Sequence, residues 1–289
     1  MTQPAIVGSL FADAHAISSG MSNTHDASHP AAPMKEAATL VAIRRVSKQF
    51  SNGTLAVRDV DLDLASGEFV SLLGPSGCGK STLLRMIAGL GEVSAGTIEW
   101  PGSAVTGSHA RELGFVFQEP TLMPWATALA NVMIPLKIKG VARGEGEARA
   151  ASMLVAVGLE GFENAYPREL SGGMKMRVSI ARALVTEPRI LLMDEPFAAL
   201  DEITRHKLND DLLRLWQGQR FTAIFVTHSV FESVYLSQRI VVMAARPGRV
   251  MADLQVDAPY PRDELFRTSP EYGRLCRMAS DTLKKAIAS

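Results

Sequence analysis

The feature that most constrains this chain is a glycine-rich loop, Gly74-Pro75-Ser76-Gly77-Cys78-Gly79-Lys80-Ser81-Thr82. An apolar run typical of a buried strand precedes it (69–73), and a run typical of a helix follows it (83–88). Strand, loop and helix in this order are the context of a phosphate-binding loop. Backbone N–H groups of such a loop form an anion cradle, Lys80 can reach the β- and γ-phosphates, and the Ser81 hydroxyl can bind Mg²⁺. The loop therefore predicts a nucleoside triphosphate as ligand, the alternative being a tight turn without one.

Composition narrows the class of protein. With 289 residues, 47% of them hydrophobic, the chain can bury the core of one large domain or of two. Thirty basic residues balance thirty acidic ones, without the basic excess of a dedicated nucleic-acid binder, so we expect no nucleic-acid partner.

The two cysteines, Cys78 and Cys276, are too few for a disulfide framework and too isolated for a zinc site, which favours a reducing cytosol. The longest apolar runs are far shorter than the roughly 20 residues of a membrane span, so we expect no membrane crossing by this chain alone.

The first 39 residues differ from the rest. They are rich in Ala, Ser, His and Pro, and they lack the basic region of a secretory signal. His15, His25 and His29 lie here, but their spacing fixes no metal geometry and no hydrophobic period accompanies them. We predict a disordered N-terminal tail over 1–39.

From residue 40 the hydrophobic pattern predicts an α/β fold. Period-two alternation over 40–46 and 55–64 indicates antiparallel strands with one wet face. Nearly continuous apolar runs at 69–73, 190–193 and 223–227 indicate strands of a mostly parallel sheet, buried on both faces. Residues of about 119–174 have helical periodicity without strand signals, which predicts an inserted α-helical subdomain. We therefore predict a P-loop NTPase domain over 40–260 that includes an antiparallel β subdomain, and a C-terminal helical extension over 261–289.

An acidic pair, Asp194-Glu195, ends one of the buried runs. A carboxylate at the end of a buried strand is rigid and poorly hydrated, so Asp194 is a candidate to hold Mg²⁺ through water. Glu195 can orient and deprotonate the water that attacks the γ-phosphate. The alternative is a pair that only caps a helix.

A second candidate anion site lies at Ser171-Gly172-Gly173, which follows Leu170 and precedes a helical run over 175–184. Small residues at a helix start leave backbone N–H groups free to face an anion. One chain thus carries one site at Lys80 and a second at Ser171.

With these motifs the chain resembles the ATP-binding subunits of ABC transporters, from about residue 40 to the C-terminus. Six landmarks occur in the family order: the phosphate loop, Gln118 of the Q-loop, the signature from Leu170 to Met174, Asp194-Glu195, Asp201 of the D-loop, and His228 of the switch. A P-loop kinase or GTPase would have no use for the signature. A soluble ABC-type ATPase of repair, chromosome organisation or translation, the alternative function, would need a coiled-coil insertion or a second cassette.

The resemblance implies a homodimer whose two subunits face each other head to tail, with ATP and Mg²⁺ as cofactors. ATP on Lys80 of one subunit would be completed by the signature residues of the other, and Asp201 would lie at the dimer seam. Gln118 would sense Mg²⁺, which gives Ser81, Gln118 and Asp194 as the metal set, and His228 would contact the γ-phosphate beside Glu195. The implied nucleotide-binding set is Phe50, Gly74, Pro75, Ser76, Gly77, Cys78, Gly79, Lys80, Ser81, Thr82 and Gln118. Phe50 would stack on adenine, the alternative being a core residue, and Cys78 would fill space in the loop and not act as a redox switch.

Several segments are similar to the nitrate, sulfonate and taurine importers within this family. They include Met174, where many members have Gln, together with 122–125, 194–197 and 245–249. Such importers take up small, mostly anionic or heterocyclic nutrients that a periplasmic binding protein delivers to an integral-membrane permease. The resemblance therefore implies a peripheral subunit on the cytoplasmic face of the inner membrane. The apolar stretch Thr121 to Trp125 is the candidate permease contact, the alternative being subdomain core.

Overall fold

A computed structural model describes residues 38–101 and 112–288 of the chain. The strands are β1 (Thr39–Gln49), β2 (Leu55–Ala65), β3 (Phe69–Leu73), β4 (Ala95–Glu99), β5 (Leu113–Val116), β6 (Ile190–Asp194), β7 (Thr222–Thr227), β8 (Arg239–Ala244) and β9 (Arg249–Gln255). The helices are α1 (Lys80–Ile87), α2 (Ala128–Ile138), α3 (Arg143–Ala156), α4 (Gly172–Leu184), α5 (Glu202–Gln219), α6 (Val230–Leu236), α7 (Glu264–Arg267) and α8 (Pro270–Ala288).

The strands form two sheets. The larger one has the order β5-β6-β7-β3-β8-β9, in which β9 is antiparallel and the other pairs are parallel. The smaller one is antiparallel, with the order β2-β1-β4. This mostly parallel sheet with an added antiparallel sheet confirms the predicted fold class.

The central strands are apolar on both faces because a different layer covers each face. Phe69, Leu191 and Phe225 belong to one hydrophobic cluster, together with residues of α2 to α6 and α8. Their neighbours in sequence, such as Val70 and Leu192, belong to a second cluster with α1, β1 and β2. Successive side chains of a strand point to opposite faces, so an uninterrupted apolar run serves two cores.

The helical segment follows β5. Helices α2, α3 and α4 contact one another, and α4 also contacts β5 and α5. Thr127 caps α2 by accepting a hydrogen bond from the Ala130 N–H at 3.2 Å, and Ser171 caps α4. The last helix of this segment, α4, ends at Leu184 and contains the helical run predicted over 175–184.

The C-terminal segment packs against α6, the helix that directly follows His228. Arg262 is 4% exposed and donates hydrogen bonds to the carbonyls of Val234, Tyr235 and Ser237 at 2.8 to 3.0 Å. The Tyr272 hydroxyl donates to the Phe231 carbonyl at 3.0 Å. A buried guanidinium that satisfies several carbonyls fixes the path of the chain at this point.

Most of the predicted N-terminal tail, with His15, His25 and His29, lies outside the described residues. Within the described part, Thr39 already belongs to β1, one residue before the predicted start of the folded domain. The predicted helix at the C-terminus is α8, which begins two residues before the expected Tyr272.

Candidate functional site

The phosphate loop connects β3 to α1 and lines a cavity of about 630 Å³. The residues that line this cavity are Phe50, Thr54, Leu55, Ala56, Ser76, Gly77, Gly79, Lys80, Ser81, Thr82, Gln118, Glu195 and Arg246. The N-terminus of α1 therefore opens onto a space that can hold an anion, where free N–H groups and the helix dipole favour negative charge. We call this space the nucleotide cavity.

Gly79 sets the shape of the loop. It caps α1 with a left-handed backbone, φ 91°. A Cβ at this position would lie 2.7 Å from the Ala56 carbonyl oxygen and 2.9 Å from Cγ2 of Val57. Glycine is therefore required here both by backbone conformation and by the close approach of β2.

Lys80 is 3% exposed, and its ammonium lies inside the loop. Nζ donates hydrogen bonds to the carbonyls of Gly74 at 2.8 Å and Pro75 at 3.0 Å, and it lies 3.5 Å from Oε1 of Glu195. Cys78 beside it is fully buried, and burial raises the pKa of its thiol while the charge of Lys80 lowers it. A buried thiol with a raised pKa fits the expected filling role, since reactive cysteines have lowered values.

Ser81 and Asp194 meet in the structure. The Ser81 hydroxyl donates a hydrogen bond to Oδ1 of Asp194 at 2.6 Å. Asp194 is 6% exposed and ends β6, between β5 and β7. Hydroxyl and carboxylate oxygens are the ligands that Mg²⁺ prefers, so the donor set fits the predicted metal.

Glu195 and His228 also meet, because they follow neighbouring strands that end at one edge of the sheet. Asp194 of β6 pairs in register with Val226 of β7. His228 Nδ1 lies 3.1 Å from Oε2 of Glu195. Glu195 has a positive φ of 47°, a conformation that is uncommon for a residue with a side chain and concentrates at functional sites.

Phe50 and Gln118 reach the same cavity from other elements. Phe50 follows β1 and is 45% exposed, which excludes the alternative that it is a core residue. Its ring lies 5.7 Å from Nζ of Lys48, measured from the ring centroid. Gln118 follows β5. The cavity is thus lined both by an aromatic ring and by Lys80.

The signature residues lie elsewhere. Ser171 is exposed and caps α4 by accepting a hydrogen bond from the Met174 N–H at 3.3 Å, and Gly172 and Gly173 form the first turn. Asp201 caps α5 by accepting from the Thr204 N–H at 2.9 Å, and this bond lowers the pKa of the carboxyl. Ser171, Gly172, Gly173 and Asp201 are not among the residues that line the nucleotide cavity. Asp194 and His228 do not line it either, but they contact the lining residues Ser81 and Glu195. The capping bonds of Ser171 and Asp201 instead stay within their own helix starts.

A buried polar cluster behind His228 was not predicted. The Thr227 hydroxyl donates to Oε2 of Glu232 at 2.5 Å, and Nε of Arg205 lies 3.9 Å from Oε1 of Glu232. Arg205 also donates to the Leu200 carbonyl at 2.7 Å, next to Asp201. Burial raises the pKa of Glu232, against the effect of the Thr227 hydrogen bond. By sequence alone, a charged residue one turn after His228 is typical of a solvent-exposed helix face. Only the packing of α5 against α6 shows otherwise.

The candidate permease contact is divided between surface and core. Trp125 is 76% exposed and Met123 38% exposed, whereas Leu122 packs against the hydrophobic core. A groove of about 400 Å³ adjoins this stretch, lined by residues that include Phe117, Met123 and Ile134. The core alternative therefore holds for Leu122, whereas Trp125 and Met123 are exposed and their contact with a permease stays a prediction.

Across the two described ranges we find no helix with the length and apolar character that a membrane span requires.

The chain matches known proteins over most of its length. The family model described as ABC transporter matches residues 57–198. An uncharacterized ABC transporter ATP-binding protein of Methanocaldococcus jannaschii is 48% identical over 236 residues, which are 82% of this chain and 87% of that protein. The chain belongs to the ABC transporter family. Another relative within it, an aliphatic sulfonates import ATP-binding protein of Bacillus cereus, is 44% identical over 227 residues, 78% of this chain and 89% of that protein.

Solved structures of ABC transporter proteins support the same family membership. A dimeric ATP-binding cassette in a post-hydrolysis state, bound to ADP and Pi, has a TM-score of 0.68 and 34% sequence identity, and the match covers 76% of this chain and 100% of that one. A component of an ABC transporter complex from Clostridium perfringens has a TM-score of 0.70 and 26% identity, with 84% and 98% covered. These matches confirm the predicted family and fold, and the sulfonate import relatives confirm the subgroup. Neither the relatives nor the solved structures support the alternative of a soluble, non-transport ATPase.

The loop geometry predicts that two neighbouring glycines respond differently to alanine. Gly79→Ala should lower the free energy of unfolding by roughly 1–3 kcal/mol more than Gly77→Ala. Both glycines have a positive φ, 91° and 76°, but a Cβ at Gly77 meets nothing within 4 Å. Urea denaturation of the nucleotide-free protein measures the difference, and equal losses would refute the close approach of β2.

Proposed function

We propose that this chain is the ATP-hydrolysing subunit of an importer for small, mostly anionic nutrients such as sulfonates. The observation that carries the proposal is that Lys80, Ser81 and Glu195 line one cavity, with Asp194 bonded to Ser81 and His228 in contact with Glu195. These are the groups that triphosphate hydrolysis needs: a phosphate cradle, a metal site and a base. Family membership and the sulfonate import relatives support the transport role.

ATP would lie along the cavity with its base at Phe50 and its phosphates in the loop. An exposed aromatic ring at the mouth of a cavity is suited to stacking on adenine. Residues 74–82 would surround the phosphates with backbone N–H groups, and Lys80 would turn from the loop carbonyls to the β- and γ-phosphates. ATP binding would thereby replace carbonyl contacts of the ammonium with stronger contacts to charged oxygens.

The metal would be held by Ser81, by Gln118 and, through water, by Asp194. Mg²⁺, when bound, supplies positive charge that neutralises the β- and γ-phosphate oxygens. The hydrogen bond from Ser81 to Asp194 holds the two side chains beside each other. Burial of Asp194 at the end of β6 keeps its carboxylate in place.

Glu195 would act as the base. Its carboxylate accepts a proton from the attacking water while the water oxygen bonds to the γ-phosphorus and the bond to the ADP oxygen breaks. His228, 3.1 Å from Glu195, would contact the γ-phosphate. The contact between the two side chains fixes the orientation of each, so the base is positioned before the reaction begins.

The signature would act on the nucleotide of a second copy. Ser171 and Gly172 are exposed and, with the buried Gly173, form a helix start that is suited to an anion, and none of the three lines the cavity of its own chain. In a head-to-tail homodimer this helix start would cover the γ-phosphate on the partner, with Asp201 at the seam. Because these contacts exist only in the closed dimer, ATP would bind the closed form more tightly and shift the population toward it.

Dimer closure would drive a separate membrane permease. Trp125 and Met123 would contact it beside the groove of the helical segment. Phe117 lines this groove, and the next residue, Gln118, lines the nucleotide cavity. The subunit would then lie on the cytoplasmic face of the membrane as a peripheral protein. The nutrient would come from a periplasmic substrate-binding protein and would never touch this chain.

Replacing Glu195 should affect ATP hydrolysis without affecting ATP binding, which tests its role as the base. Glu195→Gln should leave ATP affinity within about twofold but lower the rate of hydrolysis at least 100-fold, since a general base contributes on the order of 10²–10⁴. An ATP-bound dimer should accumulate, measurable by size-exclusion chromatography with light scattering. The control is Glu160→Gln, an exposed carboxylate of the helical segment. Undiminished hydrolysis by Glu195→Gln would contradict the assignment of the base.

Removing the exposed indole should weaken attachment to the permease. In native cells that produce a tagged subunit, Trp125→Ala should weaken binding to the membrane roughly 30-fold, because an aromatic anchor contributes on the order of 2 kcal/mol. Ile138→Ala removes another apolar side chain, 81% exposed, at the end of α2 and is the control. Equal membrane binding by wild type and Trp125→Ala would contradict this contact.

A further inference from the structure

The turn between β8 and β9 packs directly against the phosphate loop. Gly248 donates a backbone hydrogen bond to the Ala56 carbonyl at 3.0 Å, and its own carbonyl accepts one from the Arg58 N–H at 2.8 Å. A Cβ at Gly248 would overlap the Cys78 carbonyl oxygen and would lie 2.8 Å from that of Ala56. The turn is thus fixed to the loop and to β2 by a contact that only glycine permits.

This contact places Arg246 at the wall of the nucleotide cavity. Arg246 lines the cavity together with Phe50, Lys80 and Glu195. It has a left-handed backbone, φ 60°, although it is not a glycine. A residue with a side chain in this conformation has a conformational cost, and such residues concentrate at functional sites. Glu195, which lines the same cavity, shares this uncommon conformation.

Lys80 and Phe50 indicate where the terminal phosphates and the base of a nucleotide are expected, and Arg246 lines the cavity together with them. Lys80 lies against the loop carbonyls and Glu195, at the end expected for the β- and γ-phosphates. Phe50 marks the end expected for the base. The turn of Arg246 is hydrogen-bonded to Ala56, another residue that lines the cavity, and packs on Cys78 of the phosphate loop. A guanidinium at that position can give paired, charge-assisted hydrogen bonds to phosphate oxygens.

We propose that Arg246 is a nucleotide-binding residue that contacts the α-phosphate side of ATP. This inference rests on the proposed use of the cavity for ATP. The α-phosphate keeps its charge during hydrolysis, so Arg246 binds ATP, the transition state and ADP about equally. Uniform binding of this kind lowers KM and leaves kcat unchanged.

The test compares Arg246→Ala with matched variants in nucleotide binding and in hydrolysis. Arg246→Ala should weaken the binding of both ATP and ADP by roughly 10- to 100-fold in calorimetric titrations, as loss of one charge-assisted hydrogen bond predicts. It should raise KM by a similar factor with kcat within about twofold. Arg246→Lys should recover part of the affinity, because its ammonium restores the positive charge but not the paired N–H donors of a guanidinium. Arg249→Ala, which removes a charge from the start of β9 outside the cavity-lining residues, should bind as wild type.

Two further results distinguish failure of this inference from failure of the proposed site. Lys80→Ala should lose most nucleotide affinity, and wild-type affinity in that variant would refute the cavity as the ATP site and Arg246 with it. Weak binding by Lys80→Ala with normal binding by Arg246→Ala would overturn only the role of Arg246. A lowered kcat with unchanged KM in Arg246→Ala, or equal weakening by Arg249→Ala, would also overturn it.

Discussion

The parallel hydrogen-bond ladder of β6, β7 and β3 is the interaction on which the site depends. Leu73 at the end of β3 pairs in register with Thr227 of β7, and Val226 of β7 pairs with Asp194 of β6. The residues that follow these strands must therefore emerge at one edge of the sheet. The phosphate loop, the acidic pair and His228 meet there because the ladder holds three distant parts of the sequence in register.

The strength of this arrangement comes from burial on both faces of the sheet. Every residue of β3, β6 and β7 is buried, and alternate side chains join one hydrophobic cluster or the other. A shift of register would move each of these side chains into the wrong layer. The same apolar runs that create the core thus fix the distances between Lys80, Glu195 and His228.

The fold and most of the nucleotide cavity could be predicted because their signals are local. Apolar runs predict buried strands, and the glycine-rich loop predicts its own shape between a strand and a helix. Arg246 and Glu232 could not be found in this way, because their surroundings arise from long-range packing. Arg246 reaches the cavity only because Gly248 lets the β8–β9 turn approach Cys78, and Glu232 is buried only because α5 packs on α6. A charged side chain in a polar stretch gives no local sign of either environment.

Ser171 does not line the nucleotide cavity of its own chain, so hydrolysis in this account requires a site that two copies of the chain build together. Mixing two inactive variants, Lys80→Ala and Ser171→Arg, tests it most directly by ATP hydrolysis. A composite site predicts activity well above that of either variant alone, because each mixed dimer has one site with both Lys80 and Ser171 intact. A chain with both substitutions, mixed with wild type, should give no such recovery and should lower wild-type activity. If the first mixture stays as inactive as its components, with mixed dimers demonstrated, the claim that two copies build each site is contradicted.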